Sequence, residues 1–511
     1  MQPTKLDSSS ASVRARLDHP VIDADGHYIE IPYLYEDYVV QVGGSTALEE
    51  YRRSYLEGVH RMAVDPAEYM SRGAARREEA YSRAERERWR FPRGNWWAAA
   101  SDTRTRATCQ LPRLLRERLD ELGIDFMLIY PTTGLFQLQF RSDELREIVC
   151  RATNMMAFDM FEEHADRIAA VAVIPMHTPA AAIAELEFCT GELGMKAAVI
   201  QGHVRRPVPG VAETAPAAAA YARYIDVYGI DSAYDYDPFW RKCVELKVPL
   251  SSHESGIGLG ERQSVTNFVY NHVGHFASAQ HALCKSLLLG GVFQRFKELR
   301  FAFLEGGAGW AATLYADLVE RWETRGPTGI LRVNPANLDV GEYMSLARRY
   351  GGKLLAGKLD GLALDMAAYA ASGAQPTEII EGRAPAARDD FAQSGFLRPE
   401  DIADAFSRLY FGCESEDRSV AWASNTRAHP FGARINAIFS SDIGHFDVSD
   451  ITATVAEAYE LVEHELISRA DFERFAFGNA VDFLAGANPD FFRGTSVEQP
   501  VRAHRRSGER A

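Results

Sequence analysis

The sequence predicts an α/β fold: a closed (β/α)8 TIM barrel carrying large helical insertions. Three observations lead there. Short apolar runs recur eight times, helix-length amphipathic segments lie between them, and polar residues collect at the C-terminal ends of the runs. Near-continuous apolar runs suit parallel strands buried on both faces. Eight strand–helix repeats close into a barrel or, failing that, form an open doubly wound sheet.

In order, the expected strands are VIDADGH from Val21, IDFMLIYP from Ile124, IAAVAVIP from Ile168, KAAVIQG from Lys196, VPLSSHES from Val248, LRFAFLEGG from Leu299, RLYFGCES from Arg408 and NAIFSSDIG from Asn436. CRATNMMAFDMFEEHADR, TPAAAIAELEFCTGELG and DPFWRKCVELK read as intervening helices. The barrel is expected over 21–490, with insertions at about 34–118 and 321–407 and flexible polar segments at 1–20 and 491–511. Insertions of that length ornament the βα loops and shape the substrate pocket. The aromatic residues of the first (Trp89, Phe91, Trp96, Trp97) point to a bulky apolar substrate or to the insert's own core.

Composition removes several functional classes. A net charge of −15 over 511 residues disfavours nucleic acid and anionic membranes as partners. The six cysteines are scattered with no C-x-x-C pair, which argues against a disulfide framework or a thiolate zinc site and for a reducing cytoplasm. The N-terminal residues lack an apolar core of the secretory type, and no run reaches the roughly 18 apolar residues of a membrane span. A small-molecule substrate is expected. Barrels of this size commonly dimerise, though nothing in the sequence requires it.

A strand end has no reason to hold His or Asp unless something satisfies it, and barrel enzymes place their chemistry at the C-terminal strand ends. The first strand ends D-A-D-G-H. Simple alternation would put Asp25 and His27 on the inner side with Asp23 below them. The fifth strand ends at His253, the sixth at Glu305 and the eighth at Asp442, with His445 just beyond. Each has a structural reading as a capped turn, a salt bridge or a core histidine; four strand ends together point to a metal. Such O/N donors suit zinc, iron or manganese, one or two ions per chain. His272 and His275, spaced i, i+3, and His281 should share a helical face, either as a polar cover for the pocket or as further ligands. Arg205 and Arg206 could hold a substrate carboxylate or phosphate, or form a solvated pair. His177 and Glu414 are weaker candidates.

The D-x-H on the first strand, the His on the fifth, the E-G-G turn on the sixth and the S-D-x-x-H on the eighth resemble the amidohydrolase superfamily. The nearest branch is the amidohydrolase-2 group, which includes aminocarboxymuconate semialdehyde decarboxylase-like proteins. LDELGIDFMLIYPTTG, GGVFQRFKELRFAFLEGG and FAFGNAVDFL add to the likeness, which runs from Val21 to about Pro489. The resemblance implies that the family's H-x-H motif falls on Asp25 and His27, its strand-five ligand on His253 and its strand-eight aspartate on Asp442. Two positions depart from it: Asp25 and Glu305 stand where histidines are usual. The added negative charge favours a full divalent site, Glu305 or Asp442 bridging if there are two ions, with His272, His275 or His281 completing the shell. The superfamily's bridging strand-four lysine has no counterpart, because Lys196 precedes its strand.

The expected reaction is hydrolysis of an amide, ester or thioester, with Asp442 as base, His445 as acid and Glu305 as a further catalytic group. The alternatives are non-oxidative decarboxylation of an unsaturated or aromatic acid and a barrel that only binds its ligand.

Overall fold

The computed structural model describes residues 8–61, 84, 87–88, 93, 102–138, 140, 142–219, 222–253, 264–373 and 390–508. The aromatic residues Trp89, Phe91, Trp96 and Trp97 lie outside the described residues. Eleven strands are present among those described: β1 (Ile22–Tyr28), β2 (Phe126–Pro131), β3 (Ile168–Ala170), β4 (Ala172–Ile174), β5 (Ala198–Ile200), β6 (Val204–Pro207), β7 (Arg223–Asp226), β8 (Leu250–Ser252), β9 (Phe301–Phe303), β10 (Leu409–Cys413) and β11 (Asn436–Phe439).

All eight expected strands form, and they pair in parallel in chain order. One sheet runs β1-β2-β3 and the other β4-β5-β8-β9-β10-β11. Val171 separates β3 from β4, so the third barrel strand joins the two sheets. Closure comes from loop backbone: the Asp442 amide donates to the Asp25 carbonyl at 2.9 Å, and the His27 amide to the Ile443 carbonyl at 2.8 Å. The short antiparallel pair β6–β7 stands outside the barrel.

Alternation along the strands divides the apolar side chains between two cores. Phe126, Leu128 and Tyr130 of β2 face inward with Ile22, Val173, Val199 and Ile438. Met127 and Ile129 face the surrounding helices, among them Asp143–Phe161, Pro179–Gly191 and Asp237–Glu245. The predicted helices therefore form because their apolar stripes cover the outer face of the barrel.

Both terminal segments depart from the expected flexibility. Ser8 caps the helix Ser9–Arg14, and the fully buried Ser10 accepts from the Val455 amide. At the other end Phe491 and Phe492 pack against Phe126, while Val497 and Val501, flanking the start of the helix Glu498–Gly508, are buried in the inner core. The tail's few apolar residues close the barrel floor, and its polar remainder faces water. The second insertion also begins later than expected: the helix Gly309–Arg325 buries Leu314, Tyr315 and Leu318, and the extra helices follow from Ile330.

Candidate metal centre

The first strand reaches the site through a bulge. Ile22 pairs with Phe126 and His27 with Tyr130, but the register slips between Asp23 and Gly26. Two residues then stand against one, and facing direction reverses along the strand. Ile22 and His27, five positions apart, can share the inner face only for this reason. Asp23 pairs instead with the outward Met127, so the expectation that Asp23 lies beneath Asp25 on one face is corrected. Its carboxylate accepts from the Ser441 amide at 2.9 Å and from the Ser441 hydroxyl, tying β11 to β1 under the site.

The other donors sit one to three residues past their strands. His253 follows β8, its amide donating to the Ile200 carbonyl at 3.1 Å. Glu305 follows β9 and Asp442 follows β11, both with left-handed backbone (φ 59° and 52°). Side chains adopt that conformation at a cost, and such residues gather where a site requires them. Behind this layer the fully buried Gln280 donates to the Ser252 carbonyl at 2.9 Å and the Leu304 carbonyl at 3.2 Å, fixing the approach to His253 and Glu305.

These side chains converge. His27 Nε2 lies 3.4 Å from Asp25 Oδ1, 3.5 Å from Asp442 Oδ1 and 3.2 Å from His253 Nε2. His253 Nε2 stands 3.2 Å from Glu305 Oε2 and 3.9 Å from Asp25 Oδ2. His445 stacks on His27 with ring centres 4.0 Å apart, and its Nδ1 lies 2.7 Å from Asp442 Oδ1. The donor atoms form three overlapping triads, each within 4.8 Å: Asp25, His27 and His253; His27, Asp442 and His445; Glu305, Glu414 and Asp442.

Charge makes the cluster unstable without a cation. Both Asp25 oxygens, Glu305 Oε2 and Asp442 Oδ1 are buried and accept no aligned hydrogen bond among the described residues. Burial, partly offset by His253 and His445, pushes Asp25 up to about 6. Burial, then the neighbouring Asp442, holds Glu305 well above the usual carboxylate range. Asp442 is raised likewise by burial and then by Asp447. Burial lowers His27 and His445, keeping their nitrogens available as neutral donors. His27 Nδ1 faces the Pro131 carbonyl at 3.3 Å, an arrangement that turns the Nε2 lone pair toward the cluster. Buried carboxylates that accept nothing, facing imidazole nitrogens, are the donor set a borderline divalent cation requires. The residues fit the metal.

Other candidates lie elsewhere. The proposed single histidine face breaks at Gly274 (φ 72°): His272 ends the helix Phe268–His272 and His275 begins the helix His275–Leu289. His272 stacks on Phe268, and His281 lies against Trp310; neither they nor His275 join a donor triad among the described residues. Arg205 lies on β6, paired with Ile225 outside the barrel. Arg206 is not a solvated loop charge; it pairs with Asp226 and donates to the Tyr236 hydroxyl at 2.9 Å. His177 faces Glu147 at 3.0 Å. Lys196 Nζ donates to the Phe491 carbonyl at 3.0 Å, on the barrel floor. Glu414, underweighted from sequence, joins the cluster; it ends the seventh strand as Glu305 ends the sixth, which was the available signal. Glu30 and Tyr130 were missed. Glu30 accepts from the Thr133 and Gly134 amides at 2.9 and 2.7 Å, and Tyr130 lies 3.2 Å from Ser251 Oγ beneath both ligand histidines.

A closed parallel barrel with histidines and carboxylates gathered at its C-terminal mouth defines a metal-dependent barrel enzyme. Residues 22–328, more than half the chain, match the sequence model of the amidohydrolase family, and the chain belongs to that family. Its fold is shared with an amidohydrolase from Mycobacterium avium subsp. paratuberculosis K-10, at a TM-score of 0.51 and 15% identity, covering 92% of this chain and 98% of that one. Also similar are 5-carboxyvanillate decarboxylase from Sphingomonas paucimobilis (TM-score 0.49, 11% identity, 91% and 99% covered) and 2,6-dihydroxybenzoate decarboxylase from Rhizobium (0.46, 15%, 91% and 98%).

Proposed function

We propose that the chain is a metal-dependent hydrolase of an acyl bond in an amide, ester or thioester. The observation that carries this reading is the carboxylate surplus around Asp25, His27, His253, Glu305 and Asp442. After burial, Glu305 is raised by Asp442 and then Glu414, and Asp442 by Asp447 and then Asp25. Glu305 also stands at the end of the sixth strand, where the decarboxylase branch usually carries a histidine. Hydrolysis is therefore favoured over decarboxylation.

Asp25, His27, His253 and Asp442 would hold one zinc, iron or manganese ion; Glu305, Glu414 and Asp442 would be the donors if a second ion binds. When bound, the cation polarises the acyl carbonyl and acidifies water. Asp442 orients the water and accepts its proton. His445, neutral and 2.7 Å from that carboxylate, relays the proton to the leaving group. Glu305, held against His253, keeps that ring in place and adds the charge that retains the metal.

Metal analysis of the purified protein, followed by turnover of an acyl-substrate panel in ¹⁸O-water, tests the proposal. One ¹⁸O atom in the acid product is expected. Metal-dependent CO₂ release from hydroxybenzoates, without labelled product from any acyl substrate, would replace hydrolysis by decarboxylation. A metal-free protein that binds but never turns over would leave only a binding barrel.

A further inference from the structure

Residues 264–277 form a roof at the rim of the metal centre, and a chain of rings ties it to the donors. His253 lies against Phe276 with ring centres 6.5 Å apart, Phe276 against His272 at 5.5 Å, and His272 against Phe446 at 6.0 Å. Phe268 closes the group, 4.8 Å from His272 and 5.9 Å from Phe446. Phe446 directly follows His445, so the cluster reaches from the end of the fifth barrel strand to the loop beyond the eighth. The helix His275–Leu289 also lies on the turn after Glu305, where a Cβ on Gly306 would come within 3.3 Å of the Ala277 Cα. None of these rings belongs to either apolar core of the barrel.

Besides the rings, one polar side chain anchors the roof. The helix Phe268–His272 buries only Asn271, which is 4% exposed, while Val269, Tyr270 and Val273 stand 64%, 59% and 74% in water. Asn271 Oδ1 accepts from the Ser264 amide at 2.7 Å. Its Nδ2 donates to the Ser264 carbonyl and to the Arg93 carbonyl, both at 2.8 Å. The Arg93 amide in turn donates to the same Ser264 carbonyl at 2.8 Å. Arg93 is itself buried and lies 178 residues earlier, in the first insertion. Both N–H groups of the Asn271 amide are therefore spent on one stitch between the insertion and the roof. Removing them would leave buried carbonyls short of a donor, which costs more than the bonds themselves contribute.

We propose that Asn271 is a positioning residue for the metal centre. By stitching the roof to Arg93 it holds Phe276 and His272 against His253 and keeps water from the buried carboxylates, so the metal leaves only when the stitch opens. The inference rests on the metal centre and not on the reaction run there.

The test uses the full-length protein loaded with Zn²⁺ and two readouts besides activity: hydrogen exchange at the Arg93 amide, and the rate at which a colorimetric chelator takes the zinc. Asn271→Leu removes all three bonds at similar volume. Asn271→Asp keeps the acceptor for the Ser264 amide and removes both donors. Each variant should raise both rates about tenfold, the effect of losing roughly one to two buried hydrogen bonds. Zinc content at saturation should match the wild type, since no donor is altered. If Asn271→Leu does not fold, Asn271→Asp decides. A folded variant that exchanges faster at Arg93 yet gives up zinc at the wild-type rate overturns the inference, because the stitch is then structural only. So does unchanged exchange at Arg93, or a fall in zinc content at saturation. Zinc binding by the wild type tests the centre itself; a wild type that binds no zinc, iron or manganese overturns both.

Discussion

The barrel mouth and the extra helices that follow from Ile330 fail to satisfy themselves in opposite ways. At the mouth, charged groups are buried: Asp25, Glu305 and Asp442 hold oxygens away from water with no aligned donor among the described residues. On the extra helices, apolar groups are exposed: Leu354 and Leu364 stand 77% and 73% in water. Burying a charge without a partner and exposing a large apolar patch are both unfavourable. At the mouth, the counterpart those buried oxygens call for is a divalent cation.

The sharpest way to break the comparison is to remove the mouth's chemistry while sparing the extra helices. Asp442→Asn should lower turnover about 10²–10⁴-fold, the range for losing a positioned acid–base group. His253→Ala should empty the centre, read as metal content per chain, and a chelator should do the same reversibly.

Smaller effects test how the mouth is built. Gly444→Ala should cost stability and metal together, because its φ is +104° and a Cβ would come within 2.6 Å of the His27 carbonyl oxygen. The expected loss is about 1–3 kcal/mol by denaturant unfolding. Gln280→Leu, which takes a donor from the Leu304 carbonyl and one of two from the Ser252 carbonyl, should cost about 1–3 kcal/mol in the same measurement. Gly26→Ala should cost least of the three, because its φ is ordinary and the nearest obstacles are side-chain ends, the Met127 methyl at 2.5 Å and Asp23 Oδ2 at 3.0 Å, rather than backbone. A loss at Gly26 larger than at Gly444 would mean that the bulge, rather than the β11–β1 closure, sets the ligand geometry.

Much of the site was legible because strand ends announce themselves. His253, Glu305 and Asp442 each end an apolar run that has no other use for a polar residue, and the eight runs were sufficient to infer a barrel. Glu414 was legible in the same way and undervalued. The histidines of FVYNHVGHFASAQH show where local reading fails. Their spacing is helical, but Gly274 ends one helix and starts another, so His272 and His275 do not belong to one face.

The residue types and their order thus determined the parallel barrel, the strands that carry donors and the acidic character of the mouth, since these follow from periodicity and from the cost of burying charge. Only the tertiary structure decided which donors meet. A bulge between Asp23 and Gly26 reverses facing along β1, and closure of β11 onto β1 brings Asp442 to His27 across more than four hundred residues. Both depend on register between strands distant in sequence, and no local pattern of apolar and polar residues encodes that.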